Sequence, residues 1–242
     1  MSFRHALSLL FILPLAAWGG ALRVAPTRLD LSGQRPIATL SVQNAGAEPT
    51  LVQLDLFRWS QVDGEDVLEP TDDLVAAPRV ISLAPGEERT VRVGALAPNR
   101  TAVEATYRVF VRELAPSFAA ESQVRFTVRI GVPLFAAPTA SAAAPPITWR
   151  IVPGADDCPH LRLDNPAARH VHVLGAELIT SDGAIWSVAH PDYVLPHSQR
   201  TLQPALCGAV STPAAQLRVT TEAGVLDLDA PAIKAKPAAG YD

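Results

Sequence analysis

Short stretches in which apolar and polar residues alternate, each stopped by proline, glycine or asparagine, follow one another along almost the whole chain. This period of two constrains the fold more than any other feature, because successive side chains on a strand point to opposite faces. In "IATLSVQNAG", Ile37, Thr39 and Ser41 alternate with Ala38, Leu40 and Val42 before the run ends at Asn-Ala-Gly. In "TLVQLDLFRW", Val52, Leu54 and Leu56 share one face, and Leu51, Gln53, Asp55 and Phe57 the other. "QVDGEDV" carries Asp63–Gly64, a dipeptide suited to a tight hairpin turn. "RVISLAPGEERTVRVGAL" reads as strand, Pro-Gly turn, strand, and "ATYRVFVREL" and "SQVRFTVRIGVPLF" follow. Long helical periodicity is absent. Most of the 22 prolines fall in connections, where a missing N–H costs nothing.

Strands recurring at intervals of about 8–15 residues with turns between them predict an all-β chain of β-sandwich type. The Ala/Pro-rich tract "AAPTASAAAPP", residues 136–146, separates two sets of strands. The second set comprises "ITWRIVP", "HLRLDNPAARHVHVLGAELIT", "AIWSVA", "YVLPHSQRTLQ" and "AQLRVTTEAGVLDLDA". The expected organisation is therefore a first domain over 22–138, a linker over 139–145, a second domain over 146–233 and a flexible tail over 234–242.

The first residues point to export. "MSFRHALSLLFILPLAAWGGA" has a basic start (Arg4, His5), an apolar run from Leu7 to Ala17, and small residues Gly19 and Ala21 before the expected cleavage point. Residues 1–21 thus read as a secretory signal peptide, and the apolar run is short for a membrane span. No later segment is long and apolar enough to cross a bilayer. In an oxidising compartment the two cysteines, Cys158 and Cys207, are expected to form one disulfide, which would stabilise by about 3–4 kcal/mol in the chain-entropy estimate.

The formal net charge is −4 and the sequence pI about 5.9, so there is no domain-wide basic excess to bind nucleic acid. No Gly-rich phosphate loop, nucleophile elbow or zincin motif is present, and the charges are scattered singly; nothing supports an enzyme. Five of the six histidines lie in the second half: His160, His170, His172, His190 and His197. "HVH" sets two imidazoles on one strand face, a spacing that a metal could share, but no motif fixes a third ligand and no metal is assigned.

The stretch "VRFTVRIGVPLF", residues 124–135, has a distinct character. Val124, Phe126, Val128 and Ile130 form an apolar face against Arg125, Thr127 and Arg129. On periodicity alone that face covers the domain's own core.

The ordered set "VAPTRLDLSG", "LSVQNAG", "PRVISLAPGEERTVRV", "YRVFVREL" and "RIGVPLFAAP" resembles the PapD-like periplasmic chaperones of the chaperone–usher pathway. The likeness in motif covers residues 24–138. "TWR…LRLDNPAARHVHV…YVLPHSQRTL" resembles the family's second domain more weakly. The "QxDGED" and "VPLF" segments look more like the archaic branch, which serves spore-coat-U-like subunits, than the P-pilus branch.

The resemblance implies two immunoglobulin-like sandwiches arranged as an L with a cleft between them. It implies pilin or coat-fibre subunits and an outer-membrane usher as partners, without cofactor or ATP. It also implies a mechanism. A pilin lacks its last strand, and the chaperone lends an edge strand to the resulting groove. That donor strand corresponds here to Val124, Phe126, Val128 and Ile130, and the exposed edge would also permit self-association.

A basic cleft in the family holds the subunit's C-terminal carboxylate, and Arg28 in "PTRLDLSG" matches its first-strand arginine. P-pilus-type members place a lysine where this chain has Pro133, so Arg108 or Arg129 is the candidate second cation, with Arg108 preferred. Those members also carry a basic residue, part of an interdomain ion-pair network, before the strand-closing proline; here Ala137 precedes Pro138, and the interdomain angle must be held differently. A secreted two-domain adhesive or structural binding protein is the alternative, and it expects Phe126 buried in its own core.

Overall fold

The computed structural model describes residues 22–114, 127–139, 147–153, 159–187, 191–202 and 214–230. The expected leader, Val124, Phe126, Cys158, Cys207, His190 and the tail lie outside the described residues.

The described residues form strands and no helix. In chain order the first ten are β1 (Leu22–Ala25), β2 (Leu29–Leu31), β3 (Ile37–Asn44), β4 (Thr50–Val62), β5 (Glu65–Pro70), β6 (Leu74–Ala77), β7 (Val80–Leu83), β8 (Glu88–Ala95), β9 (Ala105–Leu114) and β10 (Arg129–Ala136). The rest are β11 (Thr148–Pro153), β12 (Pro159–Asn165), β13 (Val171–Thr180), β14 (Ile185–Ser187), β15 (Asp192–Val194), β16 (Ser198–Leu202), β17 (Ala214–Thr221) and β18 (Gly224–Asp229).

In the first sandwich, a sheet ordered β1-β3-β8-β6 packs on one ordered β2-β10-β9-β4-β5, with β7 also paired to β4. Alternation decides what fills the space between. Leu40, Val42, Val91 and Val93 meet Val52, Leu54, Val109, Val111 and Leu134 in one fully buried cluster. In the second sandwich, a β11-β12-β16 sheet faces β14-β13-β17-β18, with β15 paired to β13. Trp149, Leu161 and Leu163 there meet Val173, Leu178, Leu217 and Val219. The Trp149 indole N–H donates to the carbonyls of Leu228 and Asp229, at 3.2 and 3.0 Å, so its burial leaves no orphaned donor.

Three features of the first sandwich position the site. First, the leading strand changes sheets. β1 pairs with β3, and β2 pairs with β10, so residues 26–28 cross from one sheet to the other. Pro26 begins this crossing, where it has no ladder N–H to forfeit. Arg28 sits at its end.

Second, β4 outlasts its own sandwich. Val52, Leu54 and Leu56 bury one face in the first core, but beyond Arg58 burial moves to the opposite face, on Trp59 and Gln61. The strand has not slipped. The alternation is continuous, and what covers it changes, because the second sandwich packs against the odd-numbered face.

Third, β10 is only half covered. It pairs with β9 from Arg129↔Arg112 to Ala136↔Ala105, and the ladder continues outward as the Glu113 N–H donates to the Val128 carbonyl at 2.9 Å. On its other side β2 pairs only with Leu134–Ala136. The edge over Arg129–Pro133 has no strand partner among the described residues. Val132 and Leu134 point into the first core, and Ile130, partly buried, packs against it.

Candidate functional site

The two sandwiches meet around an aromatic cluster. Trp59 from β4, Phe135 from β10 and Leu195 are each about 1% exposed, with Tyr193 of β15 packed on them. Trp59 and Tyr193 meet edge to face at 5.8 Å, an arrangement aromatic quadrupoles favour. His170 stacks on Phe135 at 3.6 Å and His172 on Tyr193 at 4.1 Å. The two histidines of "HVH" therefore line the interface, and each also holds a carboxylate there. Among the described residues no group of three or more His, Cys, Asp or Glu is placed to hold a metal.

Polar contacts close the interface around that cluster. The Gln61 amide spans β15, donating to the Tyr193 carbonyl at 2.9 Å and accepting from the Leu195 N–H at 3.0 Å. Glu104, a side chain only 3% exposed, accepts from the His170 N–H at 2.9 Å and lies 2.6 Å from His170 Nδ1. The Glu104 N–H donates to the Ala168 carbonyl. The β4–β5 hairpin supplies the third tie. Asp63 and Gly64 have φ of 53° and 93°, the left-handed pair a two-residue turn requires. The turn docks on β16, with Arg200 Nη1 donating both to the Gly64 carbonyl and to Asp66 at 3.2 Å. A Cβ on Gly64 would lie 2.5 Å from Thr201 Oγ1, so glycine is needed for the approach as well as for the turn. These contacts hold the domains where Ala137 cannot.

Glu104→Ala should cost about 2–3 kcal/mol in urea unfolding, because it removes two hydrogen bonds to a buried carboxylate. Glu104→Gln, which keeps an acceptor for the His170 N–H, should cost less than half of that.

The three candidate cations fall into two groups. Arg28 donates from Nε to Asp30 at 3.0 Å and from Nη1 to Glu222 at 2.5 Å. Glu222 lies between β17 and β18 in the second sandwich, and its other oxygen is 2.7 Å from His172 Nδ1. The hydrogen bond to Glu222 holds the Arg28 guanidinium above its ordinary value. The contacts to His172 and then Arg28 hold the Glu222 carboxyl below the usual carboxylate range. This bridge is therefore present at neutral pH and lost only as pH falls through that lowered pKa.

Arg108, in β9, faces Pro133 of β10, its register partner across the ladder. Its guanidinium covers the Trp59 ring at 3.8 Å and reaches Asp66 at 3.8 Å. Burial lowers its pKa, with Asp66 and Asp192 opposing, but a guanidinium stays charged. Burial raises the Tyr193 phenol, and Arg28 and Arg108 both act against that rise. Arg28 and Arg108 thus share Tyr193 as a neighbour.

Arg129 belongs elsewhere. It stacks over Phe110 at 3.5 Å, with Phe57 at 5.7 Å and the Asp55–Arg112 pair close by. It is four residues from Pro133, about 13 Å along the strand. Gly131 makes room for this cluster: a Cβ there would lie 2.9 Å from the Phe110 ring.

Among the described residues, the strand edge over Arg129–Pro133 is without a strand partner and runs toward Arg28 and Arg108 beside the aromatic cluster. A sequence profile described as "Pili and flagellar-assembly chaperone, PapD N-terminal domain" matches residues 21–142, half of the chain. The chain belongs to this family. Solved structures of similar fold agree along most of its length. The CsuC–CsuE chaperone–tip adhesion subunit complex of Acinetobacter baumannii archaic Csu pili gives a TM-score of 0.66 at 18% identity, covering 85% of this chain and 97% of that one. The SafB chaperone, in complex with the SafA pilin of Salmonella enterica, gives 0.61 at 19%, covering 88% and 98%. The Pseudomonas aeruginosa CupB2 chaperone gives 0.58 at 22%, covering 86% and 100%. No curated protein sequence matches the chain. At these identities the likeness bears on fold, and it extends over both sandwiches of this PapD-family chain.

Sequence reasoning named Arg28, Arg108 and Arg129 as anchor candidates but not Glu222, His172, Tyr193, Gln61 or Glu104 as their neighbours at the interface. "HVH" and Asp63–Gly64 were the available signals for part of this, and each showed a local geometry without its partner.

Proposed function

We propose that this chain is a periplasmic chaperone that binds incompletely folded pilus or coat-fibre subunits by donor-strand complementation and delivers them to an outer-membrane usher. The observation that carries the reading is the β10 edge, which has no strand partner over Arg129–Pro133 among the described residues and ends beside Arg28 and Arg108. A subunit lacking a strand supplies backbone groups for that edge. The apolar residues Val124, Phe126 and Val128 would enter its groove at a repeat of about 6.6–7 Å, each large side chain contributing roughly 1.5–3 kcal/mol on burial, with Ile130, partly packed on the first core, at the inner end of the row.

The subunit's C-terminal carboxylate would then be held by Arg28 with Arg108. Arg108 faces Pro133 across the ladder, so it brings a cation to the place where P-pilus-type members carry lysine. Arg129 is assigned to the donor-strand side, on its aromatic pair, rather than to the anchor. Two of the similar chaperones were solved bound to a pilin or a tip subunit, which supports this class of partner. The "QxDGED" and "VPLF" segments favour the archaic branch, the residue 1–21 leader favours export to the periplasm, and the Cys158–Cys207 bond is proposed as formed there.

The test is capture. Affinity-tagged protein produced in its own cells should bring a small immunoglobulin-like subunit out of the periplasm. Recovery of the tagged protein alone, with that subunit stable in its absence, would contradict the reading.

A further inference from the structure

The Arg28 guanidinium is already occupied. Its Nε serves Asp30 and its Nη1 serves Glu222, so one cation faces two carboxylates before any ligand arrives. A third carboxylate would have to compete with these two for the donors of the fork. The two residents differ. Asp30 is two residues from Arg28, in β2 of the same sandwich. Glu222 comes from the other sandwich, on the turn between β17 and β18, and its side chain is 46% exposed.

Glu222 also has a second holder. Its other oxygen is 2.7 Å from His172 Nδ1, and the His172 ring is kept in place by its stack on Tyr193, 4.1 Å away and 8° from parallel. Glu222 can therefore release Arg28 without being left unpaired.

We propose that Glu222 is a resident stand-in for the ligand's carboxylate: it occupies the Arg28 anchor in the free protein and is displaced onto His172 when a subunit's C-terminal carboxylate binds. This rests on the proposed function and adds two consequences to it. Glu222 keeps the Arg28 fork oriented while the cleft is empty, and it makes the anchor refuse a neutral chain end, which cannot compete for the guanidinium. Because the Arg28–Glu222 contact crosses between the sandwiches, the exchange also removes one interdomain tie at the moment of loading.

The test uses the full mature chain and the peptide acetyl-Val-Thr-Val-Thr-Val, an alternating strand, as free acid and as carboxamide, with affinities read by NMR titration. Wild type should prefer the acid. Glu222→Gln should bind the acid about tenfold more tightly, the scale of one charge-assisted hydrogen bond relieved, with a smaller gain for the amide, whose exclusion from the fork is lifted. Arg28→Ala should lose the preference. In wild type the Glu222 carboxyl ¹³C resonance should move with added acid and not with amide, a reading that needs no variant.

Unchanged or weaker acid binding by Glu222→Gln, together with a still Glu222 resonance, overturns the exchange while leaving the anchor intact if Arg28→Ala still abolishes the preference. Absence of any acid preference in wild type, or of binding altogether, overturns the anchor and the exchange with it.

Discussion

Protein carrying Arg28→Ala is expected to fold normally and to lose its subunit from the periplasm. The two effects separate because the same side chain does different work in each state. In the free protein Arg28 is 33% exposed and its carboxylate partners are half exposed, and ion pairs in that setting contribute little. Urea unfolding should shift by no more than about 1 kcal/mol. In the loaded cleft the fork would hold a chain terminus away from bulk water, where one charge-assisted pair contributes more and also fixes register along β10. Subunit recovered with the tagged chaperone should fall at least about tenfold, the scale of one such bond lost. Arg28→Lys should restore little, because an ammonium supplies charge without the fork. Normal subunit levels in Arg28→Ala would remove the residue from the anchor.

Trp59→Ala should give the largest loss of stability, about 3–5 kcal/mol, the range for deleting a fully buried aromatic side chain. Trp59 is 1% exposed and touches Phe135, Tyr193 and the Arg108 guanidinium, so its removal opens a cavity at the centre of the interface. Chemical unfolding should then separate into two transitions, one per sandwich. Trp59→Phe should cost much less. The Trp59 indole N–H is buried without a hydrogen-bond partner among the described residues, so exchanging it for a phenyl ring relieves an unmet donor while keeping most of the contact. A Trp59→Ala protein that unfolds in one transition within about 1 kcal/mol of wild type would show that the sandwiches are not coupled through this cluster.

The all-β architecture was legible because alternation reports directly which residues share a face. The same signal is silent about what covers the face. "TLVQLDLFRWSQV" shows Trp59 and Gln61 sharing a face with Phe57, but nothing in it says that the core ends near Leu56 and a second sandwich begins to cover the other side. Asp63–Gly64 announced a turn, since left-handed backbone is a local matter; its docking on Thr201 and Arg200 is not, because those residues lie over 130 positions away.

The histidine pair is the clearest case. Two imidazoles on one strand face were visible, and read locally they offered only a spacing that a metal could share. Their partners are Glu104 and Glu222, 66 and 50 residues distant, and only the fold brings them together. Arg28 and Arg108 were reached through the family's motifs. Glu222 had no such route: it sits on a turn in the half of the chain where the resemblance is weaker.

Everything proposed for the cleft depends on β10 offering its free edge to another chain. Hydrogen exchange of residues 124–133, compared between the free protein and the co-purified complex, measures that edge directly. In the free protein these amides should exchange quickly wherever β9 does not bond them, while those of Leu134–Ala136, covered by β2, should be slow. On loading, protection should spread outward from Pro133 along the open edge and leave the second core unchanged. A complex in which residues 124–133 exchange as fast as in the free protein would contradict the account, whatever subunit it contains.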